Sequence, residues 1–350
     1  MPTGKRTIAI IHPGGPGDVL LAVPAMVRLR NRFPDHRLLL CAEDQTAKLL
    51  LACRTIDAWI SRHGRICADL FSGADSAAHQ TRTWLEDCDL AIAWMQDLDG
   101  KLYETLKTIG VQNVLVQSPF STEILATHQC DRFLQAINEP PFNGEGDVLL
   151  RVTAHLLHLG QASLEAAGLS IDQPLVVIHA GSGSSHKCVK AETLASITAA
   201  VQASVATPVV LEGPADREPV ERLLLSCVNP PTVLKGLDLS AVAGVLARAR
   251  LFVGHDSGIT HMAGLMGVPT VALFGPTDPY RWAPRGAHVT VVRGVPCTCR
   301  SWEEVSQCNR KPCLELSQEH LVAVCLARLN ESAVRRRIQS RCLVTDHPVC

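Results

Sequence analysis

The chain has 350 residues, of which 47% are hydrophobic and 19% charged, and its net charge is −1. That length suits two domains of roughly 150–180 residues, and no apolar run approaches the roughly 18 residues of a membrane span. A near-neutral balance with no basic run interleaved with aromatics argues against a nucleic-acid partner.

Met1 to Arg6 leads straight into Thr7–Ile11, a strand pattern too short for a signal-peptide core, which predicts a cytoplasmic protein. A Gly/Pro-rich loop, His12 to Gly17, follows, then apolar residues at helical spacing over 19–33 and a second strand at 37–41. Strands at 90–94 and 113–117 continue the series, and residues 118–160 read as loop and helix broken by Pro140-Pro141, Gly144 and Gly146. The pattern restarts with a strand at 175–179, a helix over about 191–203, a strand at 208–211 and a helix over 218–226. Buried strands at 251–253 and 268–274 flank a helix that starts near Gly258. Two alternating series predict an α/β protein with two parallel sheets. Ligands of such sheets sit beyond the carboxyl ends of the strands. The 14 cysteines lie mostly singly in apolar segments, as at Cys41, Cys53, Cys67, Cys88 and Cys227, which predicts buried free thiols.

Four loops that follow strands carry the chemistry. In the first, Gly15 and Gly17 let the backbone approach a ligand, and Asp18 stands where a helix begins. Asp18 is either a helix cap or a general base for a hydroxyl held within about 3 Å. In the second, His179 to Lys187, small residues including Ser182 are closed by Lys187, which would offset charge on a departing diphosphate. A flexible Gly-Ser loop with a solvated lysine is the alternative. In the third, Glu218 either holds a ribose or is an exposed first-turn acid. The fourth contains Asp256, Ser257, Gly258, Ile259 and His261. A strand, a Ser-Gly turn and a helix N-terminus aim free N–H groups at an anion, and a diphosphate fits. An ordinary N-cap is the plainer reading.

Taken in order, these segments resemble glycosyltransferase family 9, the ADP-heptose:lipopolysaccharide heptosyltransferase family. The resemblance rests on Gly17-Asp18-Val19-Leu20-Leu21 with Pro24-Ala25, on Gly181 to Lys187, on Gly213 to Glu218 and on Leu246-Ala247-Arg248-Ala249. It continues through Gly254 to Ala263 and ends in Phe274-Gly275-Pro276-Thr277-Asp278-Pro279-Tyr280-Arg281-Trp282-Ala283-Pro284. It implies a GT-B architecture of two Rossmann-like domains facing across a cleft. Residues 1–165 would hold the acceptor, 172–330 the nucleotide sugar, and 331–350 would be a basic helix end and tail.

The resemblance further implies an inverting, metal-independent transferase without cofactor. Asp18 would be the base, and Lys187, Ser182 and the N–H groups of Ser257, Gly258 and Ile259 would bind the donor diphosphate. Asp256 and His261 would shape that pocket, and Glu218 would hold the ribose. The donor would be a nucleotide-diphosphate sugar, ADP-linked heptose by resemblance, and the acceptor a lipopolysaccharide-core-like glycolipid or polysaccharide. A nucleotide-sugar epimerase on the same architecture and a non-catalytic nucleotide-sugar or glycan-binding module are the competing readings.

Three features depart from the family pattern. Where members commonly carry Lys-x-Trp-Pro, this chain has Lys187-Cys188-Val189-Lys190, which puts the next helix start and part of the donor pocket in question. The loop before Asp18 is unusually rich in Gly and Pro. Residues 1–170 carry a net −4 and residues 171–350 a net +3, so the expected acceptor half opposes a strongly anionic acceptor.

Cys297, Cys299, Cys308 and Cys313 read as reduced structural thiols, because their spacing is not a common metal-finger spacing; metal binding is the alternative. Arg335-Arg336-Arg337 with Arg341 reads as a solvated helix end, or as a peripheral contact with an anionic inner membrane face. The end, Val344 to Cys350, is expected to fray.

Overall fold

Every strand pairing among the described residues is parallel. The computed structural model describes residues 6–72, 79–119, 127–144, 148–170 and 172–342. Val344 to Cys350 and the side chains of Arg335, Arg336, Arg337 and Arg341 lie outside the described residues. By contacts the chain divides into unit 1, up to Leu156 with Asp238–Ser240, and unit 2, Leu157–Leu237 with Ala241 onward. Each has its own apolar core, built in unit 1 around Ala9, Ile11, Ala91 and Leu106, and in unit 2 around Val176, Ile178, Leu251 and Val253.

Unit 1 contains β1 (Thr7–Ile11), β2 (Arg37–Ala42), β3 (Ala58–Ser61), β4 (Cys88–Ala93) and β5 (Asn113–Val116), in the order β3-β2-β1-β4-β5. Unit 2 contains β6 (Leu175–His179), β7 (Thr207–Glu212), β8 (Thr232–Lys235), β9 (Ala249–His255), β10 (Thr270–Phe274) and β11 (Val289–Arg293). Their order is β11-β10-β9-β6-β7-β8. The expected α/β class with two parallel sheets is therefore the one found. Strands covered on both faces read as unbroken apolar runs, and β1, β6 and β10 are buried at every residue. The order reverses between β1 and β4 in one sheet and between β6 and β9 in the other. Such switch points open a crevice at the carboxyl ends.

Two element boundaries differ from expectation for clear reasons. The helix expected over 19–33 is two helices, Pro16–Leu21 and Val23–Arg32, joined at Ala22. Pro24 lacks an N–H, and it sits in the first turn of the second helix, where that donor is not needed. Strand β9 outruns the expected 251–253, because Gly254 and His255 stay in register with Ala272 and Leu273 of β10. Among the described residues no helix is long and apolar enough to cross a membrane.

Candidate functional site

In unit 2, His179 at the end of β6 is the ladder partner of Gly254 in β9. The loops after these two strands therefore start side by side. Lys187 from the first donates to Asp256 Oδ2 from the second at 2.7 Å, with the side chains 21% and 8% exposed. The carboxylate aims the ammonium beside the helix N-terminus, whose dipole adds its own positive potential. The Ser182 hydroxyl donates to the Asp256 carbonyl at 2.7 Å. Ser257 caps the Gly258–Leu265 helix, its Oγ accepting the Thr260 N–H at 3.4 Å. The Thr260 hydroxyl donates in turn to the His255 carbonyl.

Beneath this rim lies a set of polar side chains that the sequence did not single out. His179 Nε2 is 3.0 Å from Asp216 Oδ2, and its Nδ1 is 3.3 Å from Ser257 Oγ. Asp216 Oδ2 also accepts the Gly213 N–H at 3.0 Å. Burial pushes the Asp216 carboxyl up, but the hydrogen bonds from His179 and Gly213 outweigh it and leave the group below its usual range. Gly181 makes room for it, since a Cβ there would lie 1.7 Å from Asp216 Oδ1. His255 spans the 181–189 loop. Its Nε2 accepts the Val189 N–H at 3.0 Å, and its Nδ1 donates to the Gly181 carbonyl at 3.2 Å. That tautomer is neutral, as expected where burial lowers the imidazole to about 4. Burial likewise lowers His261 to about 4, so its 3.8 Å approach to Asp256 Oδ1 is not an ion pair near neutrality.

In unit 1, Asp18 lies in the first turn of the Pro16–Leu21 helix, and its Oδ2 accepts the Gly15 N–H at 3.1 Å. The capping reading of Asp18 is thus realised, and a second role is compatible with it. Gly15 is the N-cap and Gly17 lies inside the first turn. Gly14 is the tight position, where a Cβ would meet His12 Cε1 at 2.8 Å and Asp18 Cβ at 2.9 Å. Arg62, just beyond β3, braces the loop by donating to the carbonyls of Pro13 and Gly14 at 2.6 and 3.0 Å. Behind the loop, His12 packs on Phe133 and Trp94, with ring centroids 5.4 and 6.0 Å away. His12 Nδ1 accepts the Gly14 N–H at 3.2 Å, which leaves the ring proton on Nε2. Burial lowers this imidazole to about 4. His12 Nε2, Trp94 Nε1 and both amide atoms of Gln129 are buried without a hydrogen-bond partner among the described residues.

A sequence profile of glycosyltransferase family 9 (heptosyltransferase) matches residues 110–313. The chain belongs to that family. Lipopolysaccharide heptosyltransferase 1 of Pseudomonas aeruginosa is 31% identical over 144 residues, 38% of this chain and 38% of that protein. Lipopolysaccharide heptosyltransferase 3 of Escherichia coli is 30% identical over 125 residues, and the match spans 36% of its length, so both alignments cover well under two thirds of the relative. A family 9 glycosyl transferase from Veillonella parvula shares the fold, with a TM-score of 0.78 at 22% identity over 95% of this chain and 99% of that one.

The segment after Lys187 lacks the family's aromatic, but another aromatic ring lies near the lysine. Trp302, in the Trp302–Gln307 helix, sets its ring 5.7 Å from Lys187 Nζ while remaining 48% exposed. The helix after the altered segment starts at Ala191, with Lys190 as an N-cap that makes no side-chain capping bond. Glu218 occupies the first turn of the Arg217–Ser226 helix and pairs with Arg222 one turn on. It lines a cavity of about 270 Å³ with Lys190, Arg310 and Lys311. The Cys299 thiol interacts with those of Cys297 and Cys308, and Cys313 with Cys297. Among the described residues, no group of three or more His, Cys, Asp or Glu is arranged to hold a metal ion.

Proposed function

We propose that this chain is an inverting glycosyltransferase. It moves a heptose from an ADP-linked donor to a hydroxyl of a lipopolysaccharide-core-like glycolipid or polysaccharide, without metal or cofactor. The observation that carries this reading is the Lys187–Asp256 pair beside the Ser257-capped helix N-terminus, in a chain of family 9. Lys187, the Ser182 loop and the N–H groups of Ser257, Gly258 and Ile259 receive the diphosphate. Asp256 and His261 shape the pocket, and Glu218 exchanges Arg222 for the ribose hydroxyls. Asp18 accepts the proton of the attacking hydroxyl. The new C–O bond forms at the anomeric carbon as the bond to the diphosphate oxygen breaks, and the configuration inverts. The names of the relatives supply the heptose and the lipopolysaccharide; the unit 2 geometry supports the diphosphate. The protein works in the cytoplasm with its C-terminal arginines at a solvated helix end; salt-sensitive liposome binding lost on deleting residues 334–350 would assign them instead to the inner membrane face.

A thermal-shift panel of ADP, UDP, GDP and their sugar conjugates tests the donor. A ligand at about 100 times its Kd adds roughly 2.7 kcal/mol, and selective stabilisation by the ADP compounds is expected. Preference for UDP or GDP replaces the sugar in this reading; silence across the panel rejects it. Asp18→Asn should bind donor normally and turn over at least about 100-fold more slowly. Near-normal turnover would remove Asp18 as the base. Turnover should survive a chelator, and metal-dependent turnover refutes the metal-free mechanism.

A further inference from the structure

The loop before Asp18 is clamped by an arginine from another part of unit 1. Arg62 Nη1 donates to the Pro13 carbonyl at 2.6 Å and to the Gly14 carbonyl at 3.0 Å. The N–H groups of those same two peptide units are also engaged. Gly14 N–H donates to His12 Nδ1 at 3.2 Å, and Gly15 N–H donates to Asp18 Oδ2 at 3.1 Å. We propose that Arg62 is a positioning residue for the general base, acting on Asp18 through the Gly14–Gly15 peptide. This inference rests on the reading of Asp18 as the base.

A trans peptide is planar, so fixing its C=O fixes the direction of its N–H. The Gly14–Gly15 unit has Arg62 on its carbonyl and Asp18 on its N–H, and it relays the position of one to the other. It lies between two glycines, where the backbone has the most freedom. Without the clamp the unit can rotate, which turns the N–H away from Asp18 and brings a carbonyl oxygen round towards a carboxylate. The Gly15–Asp18 bond alone is a weak restraint, worth about 1 kcal/mol if it is typical. Arg62 adds two charge-assisted bonds on the carbonyl side, each roughly twice as strong as a neutral one.

The arginine is well placed for this. Its own N–H donates to the Ala42 carbonyl at 2.9 Å, directly after the last β2–β3 ladder pair, Ala42 with Ser61. Its Nε donates to His63 Nε2 at 3.0 Å. A guanidinium Nη carries two hydrogens, one for each carbonyl. The clamp therefore ties the start of the Pro16–Leu21 helix to the sheet, and gives a Gly/Pro-rich loop a rigidity that its composition withholds. A base must come within about 3 Å of the proton it takes, and a misplacement of about 1 Å can cost about 100-fold. Arg62 thus governs turnover without touching the reacting atoms.

The test uses the full chain, with ADP-heptose as donor and a heptose-free lipopolysaccharide core as acceptor. Arg62→Ala should lower kcat about 10- to 100-fold and leave both KM values within about twofold. Arg62→Gln, with bulk but no fork, should behave alike; Arg62→Lys, whose ammonium can serve both carbonyls, should recover most of the loss. In an Asp18→Asn background, Arg62→Ala should cost less than about twofold, because residues acting through one another are not additive. Full additivity overturns the proposal, as does a raised acceptor KM with unchanged kcat, which would make Arg62 an acceptor contact. Amide exchange in protein labelled at glycine nitrogens gives a readout without turnover. Arg62→Ala should speed exchange of the Gly15 amide about 10-fold, while the Gly254 amide in β9 keeps its protection and reports an intact fold. Unchanged Gly15 exchange also overturns the proposal. Near-normal turnover of Asp18→Asn removes the base and this inference with it. Near-normal Arg62→Ala beside a crippled Asp18→Asn removes the positioning role alone.

Discussion

The two switch points are built alike and finished differently. Each has a buried histidine at the end of a central strand, His12 after β1 and His179 in β6, with a crowded glycine two residues on, Gly14 and Gly181. In unit 2, His179, His255 and Asp216 all have hydrogen-bond partners drawn from neighbouring loops, while His261 Nδ1 is buried without a partner among the described residues. In unit 1, His12 Nε2, Trp94 Nε1 and the Gln129 amide have none among the described residues. Satisfied buried networks rigidify a site, whereas unsatisfied buried groups call for a functional explanation. The contrast supports the proposed division, with unit 2 preset for one anion and unit 1 keeping polar capacity for a hydroxyl-rich acceptor.

Acid should separate the units most strongly. Burial lowers His255 and His261 in unit 2, and His12 in unit 1, from 6.5 to about 4. Between those values the unfolded chain binds protons that the native imidazoles refuse, so stability falls as pH drops from about 6.5 to about 4. Each such group contributes on the order of 3 kcal/mol. Unit 2 has two and should open first on acidification, seen as earlier loss of amide-exchange protection there. The depressed Asp216 carboxyl works in the same direction at lower pH, its stabilisation being lost as pH falls below about 4. Unit 1 opening first would reverse the comparison.

Next in size is Lys187→Ala. It removes the cation from a partly buried carboxylate and from the proposed diphosphate site, and kcat/KM should fall about 100- to 1000-fold. Trp302→Ala, which strips only the ring beside that ammonium, should cost about threefold to tenfold. Equal losses would show that the ring, and not Asp256, sets the lysine. Smaller again is a pair of glycine substitutions. Gly181→Ala must displace Asp216, whose Oδ1 would lie 1.7 Å from the new Cβ, away from His179 and should cost about 2–4 kcal/mol, against about 1–3 for Gly14→Ala, where the nearest atoms are farther off at 2.8 and 2.9 Å. Chemical denaturation of each variant checks the order.

What the sequence made legible follows the same divide. The central strands were readable because burial on both faces leaves an unbroken apolar run, as in Leu175–His179. Edge strands β3, β8 and β11 are partly exposed and carry no such run, and they were missed. Loops were readable where a strand runs into Gly, Ser and a charge. Their partners were not. Lys187 meets Asp256 from 69 residues away and His179 meets Asp216 from 37 away, separations that no local pattern encodes. Trp302 lies 115 positions from the lysine it shields. The usable signal for His12 and His179 was a titratable residue ending an apolar run at a strand-order reversal, and it requires the sheet order first.

Gln129→Met is the mildest test of the contrast, and the one most specific to unit 1. Gln129 is 1% exposed, and neither its amide oxygen nor its nitrogen has a partner among the described residues. It lies one turn before Phe133, whose ring packs on His12 and Trp94. Replacing the amide with a thioether of similar volume removes two unsatisfied groups without opening a void, so stability should rise by about 0.5–1.5 kcal/mol. The same exchange of polar for apolar at Asp216, Asp216→Leu, should instead destabilise unit 2 by about 2–3 kcal/mol, because it strands His179 and the Gly213 N–H. If Gln129 serves the acceptor, the stabilised variant should lose acceptor affinity while donor binding is unchanged. A Gln129→Met protein that is both more stable and fully active would mean that the unpartnered amide has no part in the reaction.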